Sequence, residues 1–151
     1  MDHAWLAAYL LHQRELSPSE RVPALILETT RETDKLARWY ERHHPEVILY
    51  TGLPVASWVG ELGLQVPDEV GLVHLDWSGE SGPVAGIDAD AEGLGVAAVD
   101  LLIGQLHAHE YGIPRREKIV SVSGRWVSGK SLHAMARAAA GLRPAPNGSG
   151  Q

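Results

Sequence analysis

The sequence contains no cysteine. Disulfides, thiolate metal sites and cysteine nucleophiles are excluded, and the composition suits a reducing cytosol. Long apolar runs are also missing. Every hydrophobic stretch is broken by His, Glu or Asp well short of the ~20 residues that a membrane-crossing helix needs. The amino terminus, Met1-Asp2-His3, has no basic segment ahead of an apolar one and does not read as a secretory signal. Positive charge is scarce. Thirteen Lys and Arg face nineteen Asp and Glu, a formal net charge of −6. The densest basic cluster, Arg115, Arg116 and Lys118, is interrupted by Glu117 and reads as a solvated loop. This stretch of chain is not expected to hold DNA by itself. No internal repeat is visible.

What is present describes one globular domain. The 151 residues are 44% hydrophobic and 21% charged, enough to bury a core without covalent staples. Periodicity alternates between helix and strand. Trp5, Leu6, Tyr9, Leu10 and Leu16 predict a first helix over Asp2 to Glu15, ended by Ser17-Pro18-Ser19. Ala24-Leu25-Ile26-Leu27 is a short apolar run that reads as a buried strand. Thr29 and Glu32 have the spacing of a capping box, opening a helix with Leu36, Trp39 and Tyr40 that stops before Pro45. Val47 to Tyr50 forms the next strand. A short helix follows with Val55, Trp58, Val59 and Leu62, closed by Gly63, and Val70 to Leu75 forms a third strand. Ser78 to Gly86 reads as a loop. The longest helix is expected over about Asp90 to His109, with Leu94, Val99, Leu101, Leu102 and Leu106 facing inward. Ile119 to Val122 and Arg125 to Val127 read as closing strands. Beyond Leu142 the Pro, Gly, Asn and Ser content predicts a disordered tail at 143–151. The fold class is therefore α/β, a mainly parallel sheet with helices on both faces, in a domain spanning 1–142. Such sheets bind ligands beyond the carboxyl ends of their strands, here near Glu28-Thr29, Thr51-Gly52 and Asp76-Trp77.

One run is more specific than the rest: Glu61-Leu62-Gly63-Leu64-Gln65-Val66-Pro67-Asp68-Glu69-Val70, continuing to Leu75-Asp76. It resembles the segment of LacI/GalR regulators in which a helix ends in a Gly-Leu-x-Val-Pro turn and is followed by an apolar strand ending in Asp. Weaker likenesses follow in order from about Ala4 to Leu132. They include Pro45 to Leu49, the crossover at Ile87 to Leu102 with its long helix at about 89–110, and Gly124 to Leu132. The resemblance implies a periplasmic-binding-protein-like, two-lobed sensor that closes on a small, sugar-like effector and shifts a cytoplasmic dimer between DNA-bound and released states. The match begins at the exit of the amino-terminal lobe. The chain is thus expected to supply mainly the carboxyl-terminal lobe of an incomplete two-lobed domain, with DNA read by a helix-turn-helix absent from it.

Asp76 matches the family's strand-end aspartate, which can accept hydrogen bonds from sugar hydroxyls; the alternative is a turn residue. Trp77 beside it offers a stacking face, or serves as a core or interface tryptophan. Thr51 and Gly52 stand where the family presents Asn-Asp, a departure that alters the pocket. Asp88 lies at the crossover near the family's ligand-touching Gln, which Ala89 replaces, and Asp90 is expected to cap the long helix. His43-His44 and His107-x-His109 lack the spacing of a metal pair, and no HExxH occurs. His74 reads as a hydrogen-bonded core histidine. Ser57, Ser78, Ser121 and Ser123 lack a nucleophile elbow, so an enzyme is not expected and no cofactor is assigned. The alternative function is a protein–protein interaction or dimerisation module that has lost effector binding.

Overall fold

The computed structural model describes residues 4–29, 32–113 and 116–133. Helix α1 spans Ala4–Gln13, α2 Thr33–His43, strand β1 Val47–Tyr50, α3 Val55–Glu61, and β2 Gly71–Trp77. A single 3-10 turn at Gly79–Ser81 leads to β3, Ala85–Asp88; α4, Ala91–His107, and β4, Arg125–Val127, complete the order. The four strands form one sheet in the order β1-β2-β3-β4. The β1/β2 and β2/β3 pairs are parallel and β4 returns antiparallel. The expected mainly parallel α/β sheet is therefore present. No helix is long and apolar enough to cross a membrane among the described residues.

The main buried cluster lies on one face of the sheet, and Val73 and Ala85 are buried on the other. Leu36 of α2, Ile48 of β1, Val55, Trp58 and Val59 of α3, and Val70 and Leu72 at β2 are all buried in one cluster. Strand alternation explains the choice: Ile48 and Leu72 are register partners, so they stand side by side on the same face. Val47 and Leu49 point to the other face and remain exposed. Gly63 takes φ 77° and ends α3, as its position after the helix predicts.

Several expectations are corrected. Ala24 to Leu27 forms no strand. Leu25 and Leu27 pack against the core while Ile26 is exposed, so the segment has a strand's alternation without a ladder partner. Ile119 to Val122 is likewise unpaired, with Ile119 and Val120 exposed. The loop at 78–86 contains the 3-10 turn and the start of β3, which low-propensity Ala85 and Gly86 disguise. Helix α1 ends at Gln13, short of the expected Glu15, its expected start at Asp2 lies outside the described residues, and α2 begins only at Thr33, with Glu32 as its N-cap rather than a first-turn residue. The inward list for α4 is wrong: Leu94, Val99, Leu102 and Leu106 are exposed, and no residue of the helix is buried. Apolar side chains occur on nearly every side of α4, so periodicity gives no direction. The predicted tail at 143–151 lies outside the described residues.

Candidate functional site

Because β1, β2 and β3 run parallel, their carboxyl ends, Tyr50, Trp77 and Asp88, lie at one edge of the sheet. An open cleft of about 460 Å³ sits at the β1 and β2 end of that edge, lined by Tyr50, Gly52, Leu53, Pro54, His74, Ser78, Glu80 and Ser81. Tyr50 and His74 are register partners on neighbouring strands. Their rings stack with centroids 4.8 Å apart and planes 16° from parallel, a separation that matches the spacing between strands. Burial holds the Tyr50 phenol above its ordinary value, which keeps its hydroxyl a neutral donor.

The 3-10 turn supplies the polar rim. His74 Nδ1 lies 3.0 Å from Ser81 Oγ, in a hydrogen bond whose direction follows the imidazole tautomer. The Ser78 backbone N–H donates to the same Oγ at 3.0 Å, and the Ser81 N–H donates to the Ser78 carbonyl at 2.8 Å. These bonds fix the turn over the imidazole. On the β1 side, the Leu53 N–H donates to the Thr51 carbonyl at 2.9 Å and Gly52 takes φ 76°, which folds Leu53 and Pro54 into the wall. The result is one aromatic pair, two serine hydroxyls and the exposed Glu80 carboxylate around an open concavity. Among the described residues Glu80 makes no ion pair. Such a surface can stack on an apolar ring face and exchange hydrogen bonds with hydroxyls.

The five residues singled out from sequence occupy the same sheet edge but not one pocket. Gly52 lines the cleft and Thr51 adjoins it, exposed. Asp76 lies in a β-bulge that Trp77 follows, since the two residues of β2 between His74 and Trp77 face the one residue of β3 between Gly86 and Asp88. The bulge shifts the alternation of the strand end. Asp76 is exposed and not among the cleft residues. Trp77 packs over Gly86, where an added Cβ would stand 2.8 Å from Trp77 Cβ, and its indole N–H donates to the Val84 carbonyl at 2.9 Å. Asp88 is committed elsewhere. One carboxylate oxygen accepts from the Asp90 N–H at 2.9 Å and the other from Arg125 Nε and Nη2 at 3.0 and 2.8 Å. These donors hold its carboxyl below the usual range, the Asp90 amide contributing most. Asp90 caps α4 by accepting from the Gly93 N–H at 3.2 Å.

Tyr50, Ser78, Glu80 and Ser81 were not assigned to a site from sequence. Parity is the signal for Tyr50 and His74, each two residues beyond a core position, Ile48 or Leu72, on a parallel strand. A second cavity of about 240 Å³ is lined by Ala56, Val66, Leu72, Pro83, Val84, Lys130 and Ser131. It surrounds Leu72, nearer the start of β2. No group of three or more His, Cys, Asp or Glu suited to a metal occurs among the described residues.

Residues 3–132 match the family model described as "Periplasmic binding protein-like domain". No match was found among curated proteins or solved structures.

Proposed function

Since the chain belongs to the periplasmic binding protein-like domain family, we propose that it is the effector-sensing part of a transcriptional regulator of the LacI/GalR type. In this reading it is a non-enzymatic, cytoplasmic homodimer whose small-molecule ligand is sugar-like. The observation that carries the reading is the cleft at the carboxyl edge of β1 and β2, with the Tyr50–His74 stack as its wall and Ser78, Glu80 and Ser81 as its rim. A carboxylate and hydroxyls beside an aromatic face suit a ligand with an apolar ring face and several hydroxyls. DNA contact in this reading belongs to a helix-turn-helix outside the described residues.

The test is thermal denaturation of the chain against panels of monosaccharides and nucleosides. A ligand at 100 times its Kd adds about 2.7 kcal/mol, which for a domain of this size raises Tm by roughly 5–10 °C. Ser81→Ala is expected to weaken the binding ligand about tenfold, the loss of one hydrogen bond. Asp76→Ala separates the cleft from the neighbouring strand end: an unchanged Kd removes Asp76 from the site. Absence of any shift at saturation sinks the effector reading.

A second reading is an interaction module without effector binding. It is favoured by α4, whose exposed apolar residues are unusual for a monomer.

A further inference from the structure

Fixed charge at the cleft is of one sign. Glu80 is the only acidic residue that lines it, and no Lys or Arg joins it there. Its carboxylate is carried by the middle residue of the Gly79–Ser81 turn, which the Ser81 bonds to His74 and to the Ser78 backbone pin in place. Glu80 is exposed and has no hydrogen-bonding or ionic partner among the described residues. A second carboxylate without such a partner, Asp76, is exposed near the end of β2. Asp88, at the end of β3, is already paired with Arg125.

The walls offer little to an anionic ligand. The Leu53, Ser78 and Ser81 amides donate to the Thr51 carbonyl, Ser81 Oγ and the Ser78 carbonyl, and Pro54 has no N–H to give. A lone rim carboxylate also falls short of the several oxygen ligands that Ca²⁺ or Mg²⁺ requires, and no metal-suited group occurs among the described residues. The charge that fits is therefore an organic cation. The Tyr50–His74 stack beside it suits a molecule with a ring.

We infer that Glu80 selects a ligand bearing a primary ammonium group on a hydroxylated ring, the chemistry of an amino sugar. The apolar ring face lies toward the aromatic pair, the hydroxyls reach the serines, and the ammonium donates to the Glu80 carboxylate at the open rim. A neutral sugar of the same shape leaves that carboxylate in water. Asp76 stands outside the cleft, where its charge adds to the negative potential that draws a cation in. This inference rests on the effector reading above and adds the charge class of the effector and the residue that recognises it.

The test is titration calorimetry of the chain with glucosamine, galactosamine and mannosamine, each beside its N-acetyl derivative and its parent hexose. At least one amine is expected to bind about fivefold tighter than both neutral counterparts in low salt, the size of an exposed ion pair. The preference should shrink in 1 M NaCl, where the Debye length is about 3 Å. Glu80→Gln is expected to bring the ratio of amine to N-acetyl affinities to about one, whereas Asp76→Asn, the same loss of charge outside the cleft, keeps most of it. A preference that survives Glu80→Gln overturns the assignment of Glu80. Binding of neutral sugars or nucleosides with no tighter amino sugar overturns the inference and leaves the effector reading standing. No binding by any sugar or nucleoside overturns both.

Discussion

Ser131 occupies the gap between β2 and β3 just before their ladder begins. Its Oγ donates to the Leu72 carbonyl at 2.6 Å and accepts from the Ala85 N–H at 2.8 Å, while its own carbonyl accepts from the Leu72 N–H at 2.9 Å. One buried hydroxyl thus joins two parallel strands that do not yet touch each other. Ser131→Ala removes both side-chain bonds and strands a buried donor and a buried acceptor. The expected loss is about 3 kcal/mol, measured as a lower midpoint in urea denaturation; a change below about 0.5 kcal/mol would show that water replaces the hydroxyl. Sequence gives the residue's place in the returning segment but not its burial, because that depends on how far apart two other strands start. Trp77 and Asp88 are legible in the same limited sense. Their places at strand ends can be read, while the Val84 carbonyl and the Arg125 guanidinium that occupy them come from elements 7 and 37 residues away.

At the scale of the element, helix ends and strand ends follow different rules. Gly63 and Asp90 behave as their residue types demand, one in the left-handed region at a helix end and the other accepting from the Gly93 amide. The start of α2 keeps the carboxylate half of the expected box but begins the helix later, at Thr33. The Glu32 carboxylate reaches back to the Glu28 and Thr29 amides at 2.7 and 3.1 Å and pairs with Lys35. The Lys35 hydrogen bond first, then the two amides, hold the Glu32 carboxyl at about 2. A carboxyl depressed on folding adds stability that is present above its unfolded value and is lost as pH falls through the folded one. Glu32→Gln is therefore expected to melt below the parent protein at pH 7, with the difference closing between about pH 4.5 and pH 2. Paired thermal melts across that range check it, and a gap that persists at pH 2 contradicts the assignment. Strands were less legible. Gly86 hides β3 because glycine is a poor strand former, yet the position requires it: a Cβ would collide with the His74 carbonyl and crowd Trp77. The bulge that carries Asp76 past the cleft leaves no mark in the sequence.

For the molecule as a whole, the decisive property is a core built by the sheet with α2 and α3. The buried cluster draws on α2, β1, α3, β2 and the segment entering β2, and neither α1 nor α4 contributes a buried residue. Alternation in β1 and β2 made that core readable, because Ile48 and Leu72 stand on the covered face whichever helices cover it. The orientation of α4 was not readable, since apolar residues on every side remove the contrast that a helical period needs. Stability should be distributed as the burial is. Amides of Leu72 and Val73 lie between paired strands and next to the core, so their hydrogen exchange is expected to require global unfolding. Amides in the middle of α4 need only local opening of a helix with no buried side chain, and in dilute protein should exchange at least about tenfold faster. Peptide-resolved exchange reads the difference. If α4 in dilute protein is as protected as β2, the helix belongs to the same cooperative unit as the core, and stability does not follow the burial.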